Sequence, residues 1–333
     1  MSSTFYPKSE AFTEFQTKLP TDNLQPRLTS CTVTKNNEII VVDLNNKVVK
    51  IFEFFGDVIR TIGKDGAVKL KCPWDVTLTP TGDICITEVA NACIRVYSSV
   101  GKYLYSIGCC GEVNKHAERT LQTPPKTFNA TPNSKATNRQ ASLDVIQEES
   151  LDTEESPVGY DHLPFFPRGI DYHVTGNFVI SNSPPIHSAL CHSIYVIKPA
   201  DGSTVSKLIG AFSRPLYLAC HPLNNSLLVS DTYRSMVASY DPIGRCQYQY
   251  GNYGTGPQQL AAPHGICVDR EGMVYIADHG NHRIVILRDG KLSRFIYGGI
   301  KYPTSVAYST TGHLIVTEQH GTVRLFNLPR KIK

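Results

Sequence analysis

An all-β fold, a six-bladed β-propeller, is predicted for this chain of 333 residues by three observations. A unit that begins with a proline entering an apolar strand recurs at Pro26, Pro73, Pro167, Pro215, Pro263 and Pro303, spaced 47, 94, 48, 48 and 40 residues apart. Each unit holds short apolar stretches separated by turn residues, four to a unit, which is the strand count of a propeller blade. The sixth unit holds only three, and the alternating stretch 11–17 at the other end of the chain can supply its fourth.

The elements follow in order. The first strand starts at each proline. The second covers 39–42, 84–87, 227–230, 274–277 or 314–317 and is followed by an acid, Asp43, Glu88, Asp231, Asp278 or Glu318, with Ser181 in its place in the third unit. The third covers 48–52, 94–97, 194–197, 237–240, 284–287 and 323–326, and the fourth closes at Gly63, Gly108, Gly210, Gly251 or Gly298. After Phe326 the chain runs into Asn327-Leu328-Pro329 and a basic tail, so strand four of blade six is expected from the N-terminal segment, which leaves no open sheet edge.

Within the fifth unit, Pro263-His264-Gly265, Tyr275-Ile276-Ala277-Asp278 and Asn281-His282-Arg283-Ile284 resemble the NHL repeat almost completely. The others match in part: Val48 stands where arginine is expected in unit one, Arg234 and Met236 replace the asparagine and arginine in unit four, and unit three stretches this loop over 182–192. The resemblance spans roughly 26–328 and implies an NHL-type propeller similar to the C-terminal NHL domain of tripartite-motif proteins. That family binds RNA or selects proteins for ubiquitin transfer. No RING or B-box Cys/His pattern and no coiled-coil heptads accompany the blades, so a ubiquitin-ligase partner would have to be another chain. A second class of function, an NHL-like metal-dependent lyase or a propeller hydrolase, is implied by the same resemblance.

One propeller domain is expected, with an N-terminal segment at 1–25, blades one and two at 26–108, an insert at 109–163, blades three to six at 164–328 and a tail at 329–333. Apolar residues make up 41% of the chain without a run near the length of a membrane span, so no membrane partner is expected. Ten cysteines without a Cys-x-x-Cys pair read as reduced, and the polar start is unlike a signal peptide; a cytoplasmic monomer without a cofactor is expected.

The insert accounts for the doubled spacing. Its part 114–139 is basic and rich in Pro, Thr and Asn, and disorder is expected there. Its part 140–161 holds seven acids and no Lys or Arg, so the formal net charge of +4 leaves +11 for the rest of the chain.

In a four-stranded antiparallel blade, the loop entering strand one and the loop joining strands two and three lie at the same end of the ring, the upper face. Basic and aromatic residues gather there, with Trp74, Arg168, Arg214, Tyr217, Tyr233, Arg234, His264, Lys301 and Tyr302 as the partner-binding candidates. Such a surface suits single-stranded RNA, through phosphate attraction and base stacking, or an acidic or phosphorylated protein segment. No catalytic set is expected. On the lower face, six residues after the prolines, come Thr32, Thr79, His173, His221, Asp269 and Ser309. The His, His, Asp subset has donors that zinc accepts, but the position reads as a turn cap and no metal site is expected.

Overall fold

A computed structural model of the protein describes residues 11–64, 68–108, 127–129, 165–185, 188 and 190–328. Blade one consists of Leu28–Val33, Ile39–Asp43, Val48–Phe52 and Val58–Ile62, and blade two of Pro73–Leu78, Ile84–Glu88, Cys93–Tyr97 and Tyr103–Ile107. Blade three has Pro167–Tyr172, Phe178–Asn182, Ser193–Ile197 and Thr204–Ile209; blade four has Pro215–Cys220, Leu227–Asp231, Met236–Tyr240 and Cys246–Tyr250. Blade five follows with Pro263–Val268, Val274–Asp278, Arg283–Arg288 and Lys291–Ile296. Blade six takes Pro303–Tyr308, His313–Glu318 and Thr322–Asn327, and its outer strand is the N-terminal Thr13–Gln16.

The second and third strands are apolar at nearly every position because each blade is sandwiched between two others. Successive side chains of a strand point to opposite faces. Thus Ile39 and Val41 pack with Ile315 and Leu325 of blade six, while Ile40 and Val42 pack with Val76, Ile84 and Ile86 of blade two. The fourth strands lie at the rim and are half exposed, as in Val58–Ile62 and Cys246–Tyr250.

Ring closure occurs as the missing strand requires. Thr13, Glu14, Phe15 and Gln16 pair antiparallel with Leu325, Arg324, Val323 and Thr322. Arg324 binds Glu318 Oε1 at 2.6 Å within its own sheet and reaches Glu14 of the added strand. Phe15 covers Gly56, where any Cβ would collide with its ring at 2.6 Å, and packs 5.2 Å from the ring of Phe52.

Strand register corrects two assignments. Pro73, Pro167, Pro215, Pro263 and Pro303 pair with Glu88, Asn182, Asp231, Asp278 and Glu318, and their counterpart in blade one is Leu28, which pairs with Asp43. Pro26 therefore lies two residues before the anchor position. It is buried there, 3.1 Å from where a Cβ on Gly321 would stand. Likewise Asn182, not Ser181, occupies the acid position of blade three. The spacing misled because two residues were added in one entry loop and the acid was replaced by its amide.

Thr127–Asn129, inside the insert, pairs parallel with Lys207, Leu208 and Ile209, adding a fifth strand to blade three. The expectation of disorder fails for these three residues, since an open strand edge presents unpaired amides and carbonyls to any passing segment. The remainder of 114–139 and all of 140–161 lie outside the described residues, as does the tail 329–333. Among the described residues, no helix is long and apolar enough to cross a membrane.

Candidate functional site

The upper face is held together by a repeated backbone bond. An amide just after strand two donates to a carbonyl of the entry loop: Leu44 to Arg27, Val89 to Cys72, Ser183 to Phe166, Thr232 to Arg214, Gln319 to Tyr302 and, one residue further on, Gly280 to Ala261, all at 2.9–3.0 Å. The acid beside it faces the same loop. Asp43 accepts from Arg27 N at 3.0 Å, Glu88 from the amides of Lys71 and Cys72 at 2.7 Å, and Asp231 from Ser213 N and Arg214 N at 2.7 and 2.9 Å. Asp278 accepts from Ala261 N and Glu318 from Lys301 N, both at 2.8 Å, while Asn182 serves Phe166 N at 2.7 Å.

A carboxylate at this position can also cap the turn that follows it. Asp43 and Asp231 do reach Asn46 N and Arg234 N, but the entry loop is the partner common to all six blades. In blade five, Asp278 also accepts from Asn281 at 2.8 Å and Arg283 at 2.7 Å, so these three residues are blade architecture.

Because the carboxylates are turned inward as caps, the cations stay at the surface. Lys47, Lys69, Lys71, Arg234 and Lys301 are exposed, and Arg27, Arg168 and Arg214 are half buried. Of the aromatic candidates, Tyr233 is 65% exposed and Tyr302 half buried. Trp74, Tyr217 and His264 are instead buried, at 4%, 3% and 5% exposure, and cannot serve as open stacking surfaces. Tyr253, left out of the candidate set, is 60% exposed.

The three buried rings close the upper end of the central channel. Trp74 and Tyr217 have centroids 6.1 Å apart, Tyr217 and His264 5.5 Å, and His264 stacks on His279 at 4.2 Å. His279 continues to Tyr302 at 5.4 Å. Tyr217 Oη crosses from blade four to donate to Thr29 O of blade one at 3.0 Å, and the Arg168 guanidinium lies over Trp74 at 4.2 Å. These contacts follow from chain position: Trp74, Tyr217 and His264 sit on first strands, the part of a blade nearest the axis, and His279 lies in the turn after strand two of blade five. Alternation alone does not reveal that an axial residue meets one from the opposite side.

Below this plug the channel widens to a cavity of about 210 Å³. Asp75 and Asp171 line it and staple blades together: Asp75 Oδ2 accepts from Ile170 N and Asp171 Oδ2 from Cys220 N, both at 2.8 Å. Asp75 also accepts from Ser30 Oγ and from Val76 N at 2.9 Å. Burial pushes Asp75 up to about 7 and raises Asp171 as well. Burial likewise pushes the Cys31 thiol up to about 12, as befits a small apolar filler.

On the lower face the turn-cap position holds Thr34, Thr79, His173, His221, Asp269 and Ser309, each donating its amide across a tight turn. Thr34 replaces Thr32 in this set, by the same two-residue shift as Leu28. His173 Nδ1 folds back on Thr175 at 2.8 Å, His221 Nδ1 accepts from Leu223 N at 3.3 Å, and Asp269 Oδ2 accepts from Tyr275 Oη at 2.9 Å. Each side chain is turned to its own turn or strand. Among the described residues, no group of three or more His, Cys, Asp or Glu side chains is placed to hold a metal ion.

The NHL repeat family model matches residues 70–97 and 260–287, the entry loops and first three strands of blades two and five. Among solved structures, the chain is similar to a catalytically inactive virginiamycin B lyase from Staphylococcus aureus with quinupristin, at 11% identity over 96% of this chain and 89% of that one, with a TM-score of 0.55. It is similar to a gluconolactonase from Xanthomonas campestris, at 14% identity over 92% and 87% with a TM-score of 0.59. It is also similar to the WD40 β-propeller domain of Doa1, at 10% identity over 91% and 79% with a TM-score of 0.55. At such identities the likeness concerns the fold alone. The chain is a six-bladed β-propeller that carries NHL repeats.

Proposed function

We propose that this propeller is a non-catalytic recognition platform whose upper face binds single-stranded RNA. One observation carries the reading: the recurrent carboxylates are buried beneath the face as loop caps, so its outer layer is left to lysines and arginines. Cations so arranged gain affinity for a phosphate backbone by counterion release. Exposed Tyr233 and Tyr253 offer rings for unpaired bases. The buried Trp74, Tyr217 and His264 leave no deep opening at the upper end of the channel, so a ligand here lies across the face. The lyase and gluconolactonase neighbours share the fold, which by itself transfers no chemistry.

The test is a polarisation titration against random-sequence single-stranded RNA at two salt concentrations. Arg234→Glu with Lys301→Glu removes most of the affinity without moving the thermal midpoint, because both side chains are exposed. Tyr233→Ala weakens binding by about 1–3 kcal/mol if that ring stacks on a base. Unchanged affinity in the double reversal moves the site off this face. Absence of binding by the unaltered protein leaves an acidic or phosphorylated protein segment, with a ubiquitin-ligase chain as its context, as the reading to pursue.

A further inference from the structure

At the centre of the upper face lies a cavity of about 20 Å³, lined among others by Arg27 of blade one, Trp74 of blade two, Arg214 and Tyr217 of blade four, His264 of blade five and Gln319 of blade six. That volume holds one water-sized group. No carboxylate lines it among the described residues. One of its lining residues holds an unsatisfied donor: Trp74 Nε1 is buried and has no hydrogen-bond partner among the described residues. An indole nitrogen only donates, and leaving a buried donor unpaired is destabilising, so the cavity calls for an acceptor atom. A third cation, the Arg168 guanidinium, lies 4.2 Å over the same indole.

We propose that this axial cavity is an oxyanion site that seats one non-bridging oxygen of a phosphate group, with Trp74 Nε1 as donor and Arg27 and Arg214 as the charged partners. The chemistry fits the lining. Guanidinium forks match the geometry of phosphate oxygens, and the neutral indole N–H of a lining residue rewards an acceptor without demanding a counter-charge. This inference rests on the reading that the upper face recognises a phosphate-bearing ligand. It adds that one phosphate is fixed at the ring axis, where blades one, two, four, five and six meet, and that register along the remaining rim is set from there.

Trp74 is the single tryptophan of the chain, so its emission reports this cavity directly. The protein is titrated with inorganic phosphate at constant ionic strength, with chloride as the matched control. A saturable change with phosphate alone is expected. Arg27→Gln and Arg214→Gln should each weaken it about tenfold, the loss of one charge-assisted bond. Lys291→Gln, an exposed position at the opposite end of blade five, should leave it unchanged. The folds of the two arginine variants are checked by thermal midpoint, since the bonds that cap their loops are made by backbone amides and carbonyls. A response equal to that of chloride, or none, overturns the assignment and leaves the indole donor to a water molecule. A phosphate response that persists in both arginine variants also overturns it. Phosphate binding without RNA binding would retain this site and remove the RNA reading, whereas RNA binding without a phosphate response would remove this site alone.

Discussion

Lys50 Nζ lies 2.6 Å from Asp22 Oδ2, with the two side chains at 0% and 2% exposure, and thereby ties the segment that follows the closing strand to the first blade of the ring. The same ammonium meets Asp43 at 2.7 Å and Thr17 O at 3.0 Å. Its three donors are thus used by an N-terminal carboxylate, an N-terminal carbonyl and a loop cap. Lys50→Ala removes one charge and leaves two carboxylates facing each other out of water. A loss of about 3–5 kcal/mol in urea unfolding is expected, by analogy with other broken buried pairs. A loss under about 1 kcal/mol, the range of solvated pairs, would show that water replaces the ammonium.

Deleting residues 1–19 opens blade six. The truncated chain loses four strand pairings, the Glu14 contact of Arg324 and the cover over Gly56. Its thermal midpoint should fall by about 5 °C, taking a few kcal/mol at the sensitivity of a chain of this size. Equal midpoints for the truncated and full proteins would show that the N-terminal strand does not close the ring.

Asp75 makes stability depend on pH in an unusual direction. Its folded carboxyl is raised to about 7 from an ordinary 3.8, so the folded state binds the proton more tightly than the unfolded chain does. The associated stability is fully present below about pH 4 and is lost as pH rises through about 7. Asp171 is shifted the same way by burial and adds to the slope. Between these limits the unaltered protein should lose on the order of 2–4 kcal/mol that Asp75→Asn does not lose. Urea midpoints at three pH values check this. A parallel decline in the variant would assign the slope to other groups.

Removing residues 140–161 takes away seven negative charges and no positive ones. RNA affinity should rise severalfold at low salt, and the gain should shrink as the Debye length falls to about 8 Å at physiological ionic strength. A gain independent of salt would contradict an electrostatic origin.

Most of the fold was legible because a propeller repeats its grammar. Proline entry, apolar second and third strands and a following acid recur at near-constant spacing, and the missing strand after Phe326 pointed to 11–17 as its substitute. The errors came where one repeat departs from the rest. Two extra residues in the entry loop of blade one made Pro26 look like the anchor that is Leu28, and an amide in the acid position made Asn182 invisible beside Ser181. Of the candidate site, Lys301, Tyr233 and Arg234 are exposed on the face to which loop topology assigned them. Their exposure follows from sitting at loop positions, which local sequence marks.

Trp74, Tyr217 and His264 went the other way. The sequence by itself determined that the chain forms blades, which strands alternate, and which residues share an end of the ring, since all three depend on contacts within one repeat. Which of those residues face water and which meet at the axis was decided only when six blades closed. The distance from Tyr217 Oη to Thr29 O, 188 residues apart in the chain, is set by the curvature summed over the ring.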